Sequence, residues 1–153
     1  MRLPPGWSAR FSAVRRGYRY RILNRRSPPV LNRAHVWQVP WPLDVGLMQA
    51  AAPRLLGLHD FTAFRAAECQ AKSPIRTLDQ LDVAVLPMGL HDEIVVATSA
   101  RSFLHHQVRS MTGCLALVGQ GRLDPLHHHV AHRRQPADRP PAHVARLVVR
   151  DVC

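Results

Sequence analysis

The residues along this chain that could do chemistry are cations interleaved with aromatics. Tyr18, Tyr20 and Ile22 alternate with Arg19 and Arg21. Guanidinium groups at that spacing suit phosphate contacts, and the rings between them suit base or ribose stacking. The same alternation equally describes a strand with a solvated basic face and tyrosines in its core. Arg65, Lys72 and Arg76 lie on a stretch of weak periodicity, where a loop would place functional contacts. The sharpest conflict is in Ser102–Gly119. Phe103, Val108, Met111, Leu115 and Leu117 make that segment core-seeking, yet it carries His105, His106 and Arg109. An unpaired buried cation is costly, and the sequence around Arg109 offers no carboxylate. Arg109 therefore either reaches solvent or points at an anion supplied from elsewhere.

The elements that must position these groups follow from period and punctuation. Tyr18–Leu23 has strand alternation, and the proline-rich Asn24–Trp41 is a loop with a short strand near His35–Val39. Leu43–Leu56 predicts an amphipathic helix with Asp44 in its first turn and Gly57 as its stop. His59–Arg76 is either a short helix plus a loop or an irregular binding segment. Thr77–Val85 and Glu93–Thr98 predict a hairpin around Pro87–His91. A helix capped by Ser102 and ended by Gly119 would put His105 and Arg109 four apart on one face. The expected fold class is α+β, a mostly antiparallel sheet backed by two helices.

The totals narrow the partner. A chain of 153 residues is one domain or a piece of one, long enough to bury a core. The formal charge is +11, and Lys72 is the sole lysine among 21 basic residues. GC-rich coding accounts for the choice of arginine but not for the excess of positive charge, which favours nucleic acid over membrane. No run approaches the ~18 apolar residues of a membrane-spanning helix, and the first residues lack a signal-peptide pattern. Cys69, Cys114 and Cys153 are odd in number, widely spaced and without a Cys-x-x-Cys pair. That fits a reducing cytoplasm and argues against a disulfide framework or zinc site. The His127–His132 tract invites a metal, but no carboxylate or cysteine stands at ligand spacing. With its Arg- and Pro-rich continuation it reads as disorder or an altered reading frame.

Four motifs, in order, carry a family resemblance: Ala9-Arg-Phe-Ser-Ala-x-x-Arg-x-Tyr-Arg-Tyr20, Leu56-Gly-x-x-Asp-Phe-Thr-x-Phe-Arg65, Cys69-Gln-x-Lys-Ser-Pro-x-Arg76 and Phe103-Leu-His-His-x-Val-Arg109 running on to Gly113 and Val118-Gly119. Together they resemble the TruA-type tRNA pseudouridine synthases. The resemblance implies a cofactor-free, metal-free isomerase. It breaks the glycosidic bond of a uridine in the tRNA anticodon stem-loop, rotates the base and rejoins it through C5. An aspartate is the nucleophile, and the target base leaves its stack. By motif position Tyr18 matches the tyrosine that packs against the base and is proposed to assist proton removal from C5. Arg109 matches the arginine that pairs with the aspartate and holds it ionised. The same carry-over gives tRNA contacts at Ser8, Arg10, Phe11, Cys69, Gln70 and Lys72, with Arg65 and Arg76 as further cations. His105 and His106 line the cleft or serve structure.

The resemblance covers residues 2 to about 122, making 1–122 the carboxy-terminal part of a pseudouridine synthase domain, a pseudouridine-synthase-like half-fold, and 123–153 a tail. The family's Arg-Thr-Asp-Ala-Gly-Val-His-like motif does not occur in this chain. About a hundred residues, one small domain's worth, are therefore expected upstream, and the chain alone is expected to be inactive. The alternative expectation is a non-catalytic RNA-binding fragment that complements a separate amino-terminal half. The implied partners are tRNA and, for a full-length protein, a second copy in a homodimer, with no membrane.

Overall fold

Alternating apolar residues build the sheet, and one register puts them on one face. The structure, a computed structural model, describes residues 13–30, 33–87, 89, 91–124 and, by backbone only, 146–147. The strands are β1 (Arg16–Asn24), β2 (Trp37–Val39), β3 (Gly57–Asp60), β4 (Ile75–Pro87), β5 (Asp92–Ala100) and β6 (Arg146–Leu147). The helices are α1 (Val45–Ala51) and α2 (Gln107–Gly119). The sheet order is β2-β1-β5-β4-β3, with β6 also pairing to β1. Only the β1–β2 pair is parallel among the described strands. The expected α+β architecture is the one observed.

Tyr20 lies opposite Val96, which lies opposite Val83, and Ile22 opposite Ile94. Because side chains alternate along a strand, these residues share one face, and all are buried. That face forms one core with Met48, Ala51 and Leu55 and with Met111, Leu115 and Val118 of α2. Residues Met111–Gly119 are all buried, as expected for a helix without a polar stripe. The opposite face of β1 and β5 is mixed, with buried Leu23 and Val95 beside charged groups. There Arg21 donates from Nε and Nη2 to the Glu93 carboxylate at 2.6 and 2.8 Å, and the His91 Nε2 lies 3.2 Å from it.

Three boundaries differ from the sequence expectation, each for a local reason. The Leu43–Leu56 helix is shorter. Asp44 is its N-cap, accepting the Leu47 N–H at 3.0 Å, and past Ala51 the chain tightens into a 3-10 turn through Ala52–Leu55 that contains Pro53. Proline has no N–H for the helical ladder. Secondly, Ser102 does not cap α2, which starts five residues later with His106 at the N-cap. Thirdly, Gly119 is the last residue of α2 but does not close it in the left-handed conformation. Gly121, at φ 68, does so in a Schellman motif, with the Arg122 N–H donating to Leu117 O and the Gly121 N–H to Val118 O, both at 2.9 Å. Gly119 instead lets the helices meet. A Cβ there would lie 2.9 Å from Met48 Cγ and Sδ, and its carbonyl accepts the Asp44 N–H at 2.8 Å. The hairpin strands are longer than predicted, with a register shift between Leu78 and Gln80. β3 was not foreseen; its four residues are too short to show a period.

Candidate active-site cleft

The start of α2 and the first half of β1 together form a cleft of about 190 Å³, lined by Tyr18, Tyr20 and the run Phe103–Arg109. Tyr18 and Tyr20 are two apart on β1 and so face the same side of the sheet. The chain leaving β5 reaches them through a tight turn rather than a helix. The Gln107 side-chain oxygen accepts the Leu104 N–H at 2.8 Å, and the Gln107 N–H donates to Leu104 O at 3.1 Å. Closing that turn puts His106 at φ 61, a left-handed conformation that strains a residue with a Cβ by about 1–2 kcal/mol. Strain of this kind persists where surrounding structure holds it, commonly at functional sites. His105 therefore precedes α2, and the expectation that it shares a helix face with Arg109 is not met. The turn nonetheless brings both to the cleft.

Tyr18 meets Phe103 edge to face, ring centroids 5.1 Å apart at 85°. Burial raises the Tyr18 phenol above its ordinary value against the opposing pull of Arg16, so its hydroxyl is protonated at neutral pH. Tyr20 is fully buried. Desolvation pushes its phenol up to about 12 although the Arg109 charge pulls it down. Three buried polar atoms of the cleft have no hydrogen-bond partner among the described residues: Tyr20 OH, Gln107 Nε2 and Arg109 Nε. Arg109 also forms no ion pair among the described residues. The carboxylates with a hydrogen-bond partner among the described residues are used elsewhere, Asp44 as a helix cap, Asp60 on Thr62, Asp82 on Gln80 and Glu93 on Arg21. Chemically, this is a half-buried aromatic platform beside a cation with unspent hydrogen-bonding capacity.

A second group of predicted residues lies on the loop between β3 and β4, tied to the cleft through one backbone carbonyl. His105 O accepts the Ala66 N–H at 3.1 Å. The Cys69 thiol takes hydrogen bonds from the backbone N–H of Ala71 and then of His105, which with Arg65 and Arg76 lower its pKa. Arg65 Nη2 donates to Cys69 O at 2.6 Å, and Arg76 Nη1 donates to Ser73 O and Ile75 O at 2.9 and 2.6 Å. Arg65 thus shapes the loop it sits on and Arg76, at the start of β4, holds the end of that loop, while Gln70 and Lys72 are exposed. His105 and His106 stack at 3.8 Å. Ser8, Arg10 and Phe11 lie outside the described residues, as does the His127–His132 tract. Among the described residues no group of three or more His, Cys, Asp or Glu is placed to hold a metal ion. No helix among them is long and apolar enough to cross a membrane.

Sequence reasoning named Tyr20 only as one ring of the basic–aromatic alternation and Phe103 only as a core and motif residue, and it missed Gln107. The Tyr18/Tyr20 alternation was a usable signal for the first; nothing in the sequence marked Gln107 as the closer of a turn.

Comparison with known proteins adds the following. The family model described as tRNA pseudouridine synthase matches residues 51–146. A protein named tRNA pseudouridine synthase A from Methylobacterium radiotolerans is 73% identical over 121 residues, 79% of this chain and 48% of its own length. Its namesake from Nitrobacter hamburgensis is 55% identical over 142 residues, 92% of this chain and 56% of its own. That from Zymomonas mobilis is 57% identical over 118 residues, 77% of this chain and 46% of its own. The chain spans about half the length of the curated relatives it matches.

Proposed function

The chain belongs to the tRNA pseudouridine synthase family, and on that premise we propose that it supplies the tyrosine–arginine side of an active site that isomerises uridine to pseudouridine in the tRNA anticodon stem-loop. The observation that carries this reading is Arg109. It borders the cleft with Nε buried and without an acceptor, which is the state of a cation built for a carboxylate not among its neighbours. In the proposal that carboxylate is the nucleophilic aspartate, from an Arg-Thr-Asp-type motif outside this sequence. Arg109 keeps it ionised and aimed, so that it attacks the flipped uridine while the base is detached. Tyr18 stands where the base would stack, edge-on to Phe103, and its neutral hydroxyl assists loss of the C5 proton from the rejoined base as a relay, accepting that proton while its own passes to solvent. No metal or cofactor takes part.

Arg65, Cys69, Gln70, Lys72 and Arg76 form the proposed tRNA track leading to the cleft, and His105 and His106 its rim; Ser8, Arg10 and Phe11, outside the described residues, are proposed as further tRNA contacts from their motif alone. The high positive charge supports a polyanionic substrate. A cytoplasmic homodimer is the assembly the family resemblance suggests. The second reading is an RNA-binding fragment without chemistry that complements a separate amino-terminal half, which the excess of positive charge would serve equally. A chimera separates the two. The 121 aligned residues of this chain replace their counterparts in the Methylobacterium radiotolerans protein, and pseudouridine is measured in unmodified tRNA. Conversion is expected; a folded, tRNA-binding chimera that converts nothing would refute the catalytic reading.

A further inference from the structure

The catalytic reading uses Tyr18 and Arg109 and leaves the buried hydroxyl between them unassigned. Tyr20 is 0% exposed, lines the same cleft, and its hydroxyl has no hydrogen-bond partner. A buried polar group left unpaired costs stability, so native structures keep one mainly where something else completes it. Replacing Tyr20 by phenylalanine would keep the packing and remove that cost. The retained hydroxyl therefore needs an acceptor.

Its surroundings say which kind. The hydroxyl is close enough to feel the charge of Arg109. Arg109 Nε and Gln107 Nε2, the other unpartnered buried atoms among the cleft residues, are donors. Gln107 is 1% exposed, and its oxygen is already committed to the Leu104 N–H, so only its amide nitrogen remains to be used. Two N–H donors and a hydroxyl that can donate, beside a positive charge, fit an anion, and a carboxylate has about four lone-pair sites to accept from them. Burial keeps the Tyr20 phenol protonated far above neutral pH, so it donates rather than competing for the arginine as a phenolate.

We infer that Tyr20 is a positioning residue: its hydroxyl donates to the carboxylate that Arg109 binds, and so fixes which carboxylate oxygen is left free to react. This rests on the reading of Arg109 as a carboxylate partner and deepens it. Charge-assisted donors of this kind lower a carboxylate's pKa and orient it. Tyr18 and Tyr20, on one face of one strand, would then divide the work, the first facing the base and the second facing the nucleophile.

The test uses the chain itself and acetate as the carboxylate probe. Acetate is titrated against chloride at constant ionic strength, and the Arg109 Nε–H resonance is followed by NMR. The wild-type resonance is expected to shift and saturate, and Arg109→Gln to abolish the response at the remaining cleft resonances. Tyr20→Phe is expected to weaken acetate binding about tenfold, the loss of one hydrogen bond to a charged group, while its melting temperature stays level or rises. Acetate binding unchanged in Tyr20→Phe overturns the inference and leaves the role of Arg109 intact. A wild-type chain indifferent to acetate overturns both. A Tyr20→Phe chain that melts lower and binds acetate normally makes the hydroxyl structural and overturns the inference alone.

Discussion

Arg21→Met is the perturbation that tests how β1 is held in register beneath the cleft. Glu93 is 1% exposed and the Arg21 side chain 26%. The carboxylate accepts two hydrogen bonds from that one guanidinium, with His91 Nε2 3.2 Å away. Burial pushes Glu93 up, but the hydrogen bonds and charges of Arg21 and His91 outweigh it and hold the carboxyl below its ordinary value. Removing one partner of a buried pair costs about 3–5 kcal/mol because it strands the other charge; with Arg21 a quarter exposed, the lower end, about 3 kcal/mol, is expected. The pH dependence has a definite sign. A depressed carboxyl stabilises the native protein above its unfolded pKa of about 4.3 and loses that contribution as pH falls through the lower folded value. In Arg21→Met burial dominates, so the carboxyl is raised and the penalty at neutral pH is relieved on protonation. Urea unfolding followed by circular dichroism should show a gap of about 3 kcal/mol at pH 7 that shrinks markedly by about pH 3. Arg21→Met with Glu93→Leu should recover most of the loss. A gap under about 1 kcal/mol at neutral pH, or one equal at both pH values, would refute the reasoning.

Gly119→Ala should destabilise the chain by about 1–3 kcal/mol, because its new Cβ would lie 2.9 Å from a Met48 side chain that is itself fully buried. An unchanged melting temperature would mean that α1 yields. Gly121→Ala meets nothing within 4 Å, so only its φ of 68 matters, and a loss of about 1 kcal/mol is expected. tRNA binding measured by filter retention should weaken about a thousandfold between about 50 and 200 mM salt if some six phosphates are contacted. A flat, weak response would count against an RNA partner.

What could be read from the sequence is what repeats along it. Tyr18–Ile22, Leu81–Val85 and Ile94–Thr98 alternate because one side meets the core, so the central strands were legible. The ends of α2 were not. Its start depends on the Gln107 side chain closing a turn onto Leu104, and its finish on which of two glycines adopts positive φ. The first is a local side-chain contact that no periodicity encodes, and the second depends on tertiary contacts, since Gly119 is held by its approach to Met48 and Asp44. β3 was hidden because Gly57–Asp60 gains its strand form from pairing with Ile75–Leu78. Of the candidate site, motif spacing anticipated Tyr18, His105, His106 and Arg109, which the structure brings to one cleft. Tyr20 was visible as a ring in the alternation, but its buried hydroxyl and Gln107 were silent because an unpartnered buried atom is a property of three dimensions. The link from Arg65 and Cys69 to the cleft through the backbone of His105 was equally unreadable.

The most direct measurement is the single-turnover rate of pseudouridine formation by the chimera carrying Arg109 against the same chimera carrying Arg109→Gln, with tRNA affinity measured in parallel. Loss of a carboxylate's buried partner predicts a rate lower by about a hundred- to a thousandfold, with affinity within about twofold because Arg109 acts on the nucleophile and not on a phosphate. A rate within about tenfold of the parent, or a fall explained by weaker tRNA binding, would contradict the assignment of Arg109 as the nucleophile's partner.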